Sequence, residues 1–143
     1  MPVTDHSDRF VATTEFYVRY AETDAQGIVH HASYLIWMEE ARSHFARIMG
    51  HDYAEFERSG YFMGVTDIAV RYRAASRYGD LIAVRCWVVD VKSRAVAFEY
   101  EIANAQNGTL YATARSEHIC LTRDGKIALW PEEWRKWLRE LST

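Results

Sequence analysis

Hydrophobic positions follow two different periods along the chain. Over Glu15 to Tyr20, Phe16, Val18 and Tyr20 alternate with more polar neighbours, a period of two that predicts a half-buried strand. From Ser33 to about Met49 the period lengthens. Leu35, Met38, Ala41, Phe45 and Ile48 recur every three or four residues, which predicts a long helix with Ser33 as N-cap and Gly50 as its stop. Ile36 and Trp37 widen the apolar face and confine Glu39, Glu40, Arg42, Ser43 and Arg47 to the remainder, so this helix should be largely wrapped.

After Tyr61 the period returns to two for about sixty residues. Ile68, Val70 and Tyr72 alternate, and Leu81 to Val91 forms an apolar run. Lys92-Ser93-Arg94 turns the chain into Val96, Phe98, Tyr100 and Ile102, and Asn107-Gly108 signals a tight hairpin leading into Leu110 to Thr122. Asp124-Gly125 marks a further turn. Pro131 opens a short helix with Glu132 and Glu133 at its positive end. Its stripe of Trp134, Trp137, Leu138 and Leu141 is expected to pack on the outside or against a partner.

The order is strand, long helix, then four strands joined by hairpins. Without βαβ alternation, this predicts an α+β fold with a mainly antiparallel sheet. One helix covers one sheet face, and the other must meet solvent or a second subunit. The 14% aromatic content favours a subunit.

Composition narrows the class. A length of 143 residues with 49% hydrophobic content predicts one globular domain over 1–143, with residues 1–10 flexible. The net charge of −3 is spread along the chain, so no nucleic-acid partner is expected. No apolar stretch approaches the roughly 18–20 residues of a membrane span, and Met1 to Asp5 lacks a signal-peptide pattern. Cys86 and Cys120 sit in apolar runs and read as buried thiols, which places the protein in the cytoplasm.

Candidate chemistry concentrates between Thr23 and Tyr34, before the long helix. Free N–H groups and the positive dipole end at a helix start can stabilise an oxyanion, and Asp24 supplies a carboxylate facing it. Gly27 permits a sharp turn or close ligand approach, and Ile28 and Val29 keep water out. On local chemistry alone, an Asp in a loop before a helix is more often an N-cap or turn residue. Asp24, His30 and His31 have no further ligand to complete a metal site, so no metal is expected.

The string Thr23-Asp24-x-x-Gly27-Ile28-Val29-x-His31-x-x-Tyr34 resembles the active-site signature of the 4-hydroxybenzoyl-CoA thioesterase family, including acyl-CoA thioesterases of the Tol-Pal type. The resemblance extends through Trp37 to Arg42 and covers about residues 13–125. It implies a hotdog fold, a long helix wrapped by a curved antiparallel sheet, assembled edge to edge as a homodimer or homotetramer. It also implies an acyl-CoA substrate and no cofactor. Asp24 becomes the catalytic nucleophile or general base and His31 the oxyanion position, its side chain near the reaction. Gly27, Val29 and His30 line the substrate, and Lys92 and Arg94 match the basic turn that contacts CoA phosphates. Tyr17 and His30 depart from the pattern, which more commonly has Arg or Gln at the first and Tyr or another aromatic at the second. A non-catalytic acyl-CoA-binding or scaffold domain and a hotdog enoyl-CoA hydratase are the competing readings. The first would want a regulatory segment, and the second a shorter Asp-to-His spacing.

Overall fold

The computed structural model describes residues 9–141. Its elements are β1 (Ala12–Tyr17), a 3₁₀ turn (Tyr20–Glu22), α1 (Ser33–Ile48), α2 (Tyr53–Arg58), β2 (Tyr61–Tyr72), β3 (Leu81–Val89), β4 (Ala95–Asn104), β5 (Leu110–Thr122) and α3 (Glu132–Leu141). The strands form one antiparallel sheet in the order β1-β3-β4-β5-β2, the α+β hotdog arrangement that was expected.

Several expectations need correction. The first strand begins and ends earlier, because the Glu22 carboxylate accepts from the Arg19 N–H (2.8 Å) and turns the chain, leaving Tyr20 exposed. Only two of the three later connections are hairpins. β2 and β3 lie on opposite sides of the sheet, and residues 73–80 carry the chain across its end. The β4–β5 turn is longer than a two-residue loop. Asn104 Oδ1 accepts from the N–H groups of Gln106 and Asn107, and Gly108 at φ +78° closes it.

Helix α1 lies against β1 and β3 with the expected face inward, though the margins of its apolar stripe differ from the expectation. It buries Tyr34, Trp37, Met38, Ala41, Phe45 and Ala46, while Leu35, Ile36 and Ile48 are exposed. The buried stripe keeps the expected centre at Met38, Ala41 and Phe45 and is completed by Tyr34, Trp37 and Ala46 rather than by Leu35 and Ile48. Arg42 falls inside and is only 6% exposed. Its guanidinium donates to the Tyr100 hydroxyl (3.0 Å), which meets Ser116 Oγ (2.5 Å), which meets His118 Nε2 (2.7 Å). Buried polar groups persist when hydrogen-bonded in this way.

The apolar stripe of α3 closes the chain's own core. Trp134 packs on Phe56 of α2 with ring centroids 4.4 Å apart, and Trp137 on His51 at 4.3 Å. Helix α2 was not foreseen, since six residues carry too little periodicity; Asp52 caps it by accepting from the Ala54 N–H (2.9 Å). Of the stretch expected to be flexible, only Arg9 and Phe10 are described, and Phe10 packs edge-on against Phe45. Cys86 and Cys120 are free and buried, and burial pushes the Cys120 thiol up to about 11 and Cys86 higher still. Among the described residues no helix is long and apolar enough to cross a membrane.

Candidate active site

The segment before α1 is a small hairpin. Thr23 bridges Val29, the Asp24 N–H donates to the Ile28 carbonyl (2.8 Å), and the Gly27 N–H donates to the Asp24 carbonyl (3.0 Å). Gly27 sits at φ +82°, the left-handed conformation that a three-residue hairpin of this form requires. Asp24 Oδ1 accepts from the Gln26 N–H (2.8 Å), which orients the carboxylate while leaving its second oxygen without a bond among the described residues.

Glu22 secures this hairpin to the helix. Its carboxylate accepts from the Arg19 guanidinium (2.6 Å) and the Trp37 indole (2.8 Å), and its carbonyl accepts from the His30 N–H (2.8 Å). Burial acts to raise the Glu22 pKa, but the Arg19 and Trp37 hydrogen bonds outweigh it and hold the carboxyl below its ordinary range.

The helix start differs from the expectation in one chemically important respect. Ser33 is not the N-cap. Ala32 occupies that position, and the Ser33 hydroxyl turns back to the Glu22 carbonyl (3.4 Å). The N–H groups of Ser33, Tyr34 and Leu35 bond the carbonyls of His30, His31 and Ala32, while the Ala32 N–H donates to His30 Nδ1 (3.2 Å). The His31 N–H is left with no acceptor among the described residues. A helix start that could have offered several donors thus offers this one. The two imidazoles stack, with centroids 4.4 Å apart.

Asp24, Val29, His30 and His31 line one cavity of about 330 Å³, together with Ile28, Tyr34, Tyr72 and Arg73. Gly27 shapes the hairpin and is not part of the lining. Tyr72 and Arg73 were not singled out from the sequence, because Tyr72 reads there as one more alternating strand position. The Tyr72 hydroxyl donates to the His31 carbonyl (2.8 Å), and Tyr34 pairs with Ser76 Oγ (2.7 Å). A broader groove of about 500 Å³ crosses the outer sheet face, but its acid Glu99 is paired with Arg115 (3.4 Å).

Lys92 and Arg94 are not brought to this cavity within one chain. They occupy the β3–β4 turn, whereas the hairpin adjoins the Tyr17–Leu81 end. The nine residues of β3 separate these ends by about 30 Å, at about 3.3 Å per residue.

Fold and cavity together define a hotdog protein of the thioesterase class. The model of the thioesterase-like superfamily matches residues 18–138, and the chain belongs to that family. It is 38% identical over 114 residues to YneP of Bacillus subtilis, a candidate acyl-CoA thioesterase, covering 80% of this chain and 82% of that protein. It is 31% identical over 108 residues to the acyl-CoA thioester hydrolase YbgC of Escherichia coli O6:H1, covering 73% and 77%. The DHNA-CoA thioesterase of Staphylococcus aureus superposes with a TM-score of 0.84 at 32% identity, over 91% of this chain and 87% of that one.

Proposed function

We propose that the protein hydrolyses acyl-CoA thioesters to a free carboxylic acid and CoA. The carrying observation is that Asp24 and the unengaged His31 N–H line the same cavity. With the thioester oxygen on that N–H, the Asp24 carboxylate attacks the carbonyl carbon or takes a proton from water that does. On the water route the C–S bond breaks and the CoA thiolate takes the proton that Asp24 removed from water. On the nucleophilic route the thiolate leaves and is protonated by solvent, and water then cleaves the Asp24–acyl anhydride to free the acid and restore the carboxylate. The helix dipole adds to the oxyanion site, and Ile28 and Val29 limit water. His30 and Val29 line the acyl side, and Gly27 acts on it only through the hairpin turn that carries them.

Within the superfamily, the Thr23–Tyr34 string favours the 4-hydroxybenzoyl-CoA thioesterase branch. Assembly as a homodimer, or a homotetramer built from it, is part of the same reading. β2 is a twelve-residue edge strand with Phe62, Val65, Ile68 and Tyr72 exposed, and such an edge calls for cover. Antiparallel pairing of two β2 edges sets the Lys92–Arg94 end of one chain near the Asp24 end of the other, where those side chains can meet CoA phosphates. Buried thiols and a CoA substrate suit the cytoplasm. Thiol release from a panel of aromatic and aliphatic acyl-CoAs tests the reading, with turnover of at least one ester expected and none across the panel overturning it.

A further inference from the structure

A second cavity, of about 290 Å³, opens between α1, α2 and the β2 edge, apart from the one that Asp24 lines. Phe56, Met63 and Val65 give it apolar walls, and Arg42, Tyr53 and His118 line it with polar groups. Arg42 is the unusual member. It is 6% exposed, and among the described residues no carboxylate is in an ion pair with it. The Tyr100 hydroxyl accepts from one of its N–H groups (3.0 Å) but brings no negative charge. A guanidinium stays protonated even when buried, so the cost of this uncompensated charge stands until an anion arrives. The two acids of the lining, Glu39 and Glu57, are exposed and keep their charges in water. His118, its pKa pushed down to about 3 by burial, adds no second cation.

Within one chain this cavity does not serve Asp24. Met63 and Val65 precede Tyr72 on β2 by nine and seven residues, about 23–30 Å along the strand, and Tyr72 lines the Asp24 cavity. Antiparallel pairing of two β2 edges reverses that separation. The Met63 end of one copy comes beside the Tyr72 end of the other, so the two cavities meet across the seam.

We infer that the acyl group of the substrate ends in a carboxylate, and that Arg42 of one copy receives this carboxylate while Asp24 of the other acts on the thioester. The inference rests on the thioesterase reading and its β2 pairing, and adds the class of acyl group, a dicarboxylic acid joined to CoA through one end. A planar guanidinium takes a carboxylate through two parallel N–H bonds, and the apolar walls take the methylene chain. Hydrolysis releases the dicarboxylate and CoA. Arg42 touches no reacting atom and sets specificity alone.

The test compares mono-CoA thioesters of dicarboxylic acids, from succinyl to suberyl, with the same compounds methylated at the far carboxyl. The wild type should prefer the free acid at least about tenfold in kcat/KM at the best chain length. Arg42→Gln should erase that preference through the KM of the free-acid ester, while methyl-ester hydrolysis changes less than about threefold, a split that a merely structural role does not produce. Arg42→Lys keeps the charge without the fork and should retain part of the preference; with the wild-type comparison it decides the matter if Arg42→Gln does not fold. Mixing Asp24→Asn chains with Arg42→Gln chains should raise free-acid turnover above either alone, because one seam of the mixed pair joins an intact Asp24 to an intact Arg42. No gain on mixing overturns the placement across the seam. Calorimetry with monomethyl and dimethyl adipate gives a readout independent of turnover, with only the monomethyl ester binding, and at least about tenfold more weakly in Arg42→Gln. Equal wild-type kcat/KM for free acids and methyl esters, or equal losses with both in Arg42→Gln, overturns the inference and leaves the thioesterase reading standing. Absence of hydrolysis of every ester by the wild type overturns that reading instead, and the adipate measurement still decides the anion site.

Discussion

The Tyr72 hydroxyl donates to the main-chain carbonyl of His31 across 2.8 Å, so the last residue of an edge strand holds the residue that presents the open N–H. Tyr72→Phe removes this bond and keeps the ring that meets Tyr34 edge to face. Stability should fall by only about 1 kcal/mol, the usual net worth of one hydrogen bond. A kcat loss of about threefold to tenfold with little change in KM, read beside urea unfolding, is expected of a positioning residue; unchanged kcat removes that role.

The backbone and side chain of His31 can be tested apart. His31→Ala retains the N–H and should retain much of the activity. His31→Pro removes it and should lose about 10²-fold or more, as deletion of an oxyanion donor does. Equal losses in the two variants, with helical circular dichroism intact, contradict the backbone assignment.

Acid sensitivity should come first from His118. Burial, with Arg42 nearby, pushes its pKa down to about 3, against 6.5 in the unfolded chain. Arg42, Tyr53, Glu39 and Glu57 line the cavity beside it, while Ser116 bonds its Nε2. Because the folded value is the lower one, the unfolded chain takes up the proton first. The stability is complete above about pH 6.5 and declines as pH falls toward 3, by up to about 1.4 kcal/mol per unit. Urea midpoints from pH 7 to 5 should drop in the wild type and drop less in His118→Gln. Parallel slopes would assign the acid sensitivity elsewhere.

The β2 edge gives a test of assembly. Ile68→Lys places a charge on a strand edge where the wild-type side chain is 36% exposed. Light scattering at micromolar concentration should show a dimer or larger assembly for wild type and a monomer for the variant, with reduced hydrolysis. A wild-type monomer contradicts edge-to-edge assembly.

Much of the fold was legible because periodicity reports which side chains face the core. The α1 span, the long strands and the α3 stripe followed from it. Its limits show at Arg42, since a pattern that counts only apolar positions cannot see a buried cation satisfied by Tyr100 from a distant strand. They show again at the β2–β3 crossing, because hairpins and crossings have the same alternation. Within the site, Asp24, Val29, His30 and His31 were legible from one contiguous string. Tyr72 and Arg73 were not, since they reach the cavity through the sheet topology. The single open N–H was also hidden, because it depends on His30 capping Ala32 through its ring.

Replacement of Asp24 by Asn is the most direct measurement of the central claim. Asn keeps the volume and the acceptor for the Gln26 N–H but can neither attack nor take a proton. Steady-state thiol release should show kcat reduced at least about 10²-fold, with the melting temperature within a few degrees of wild type. Activity within a few-fold of wild type would contradict the mechanism.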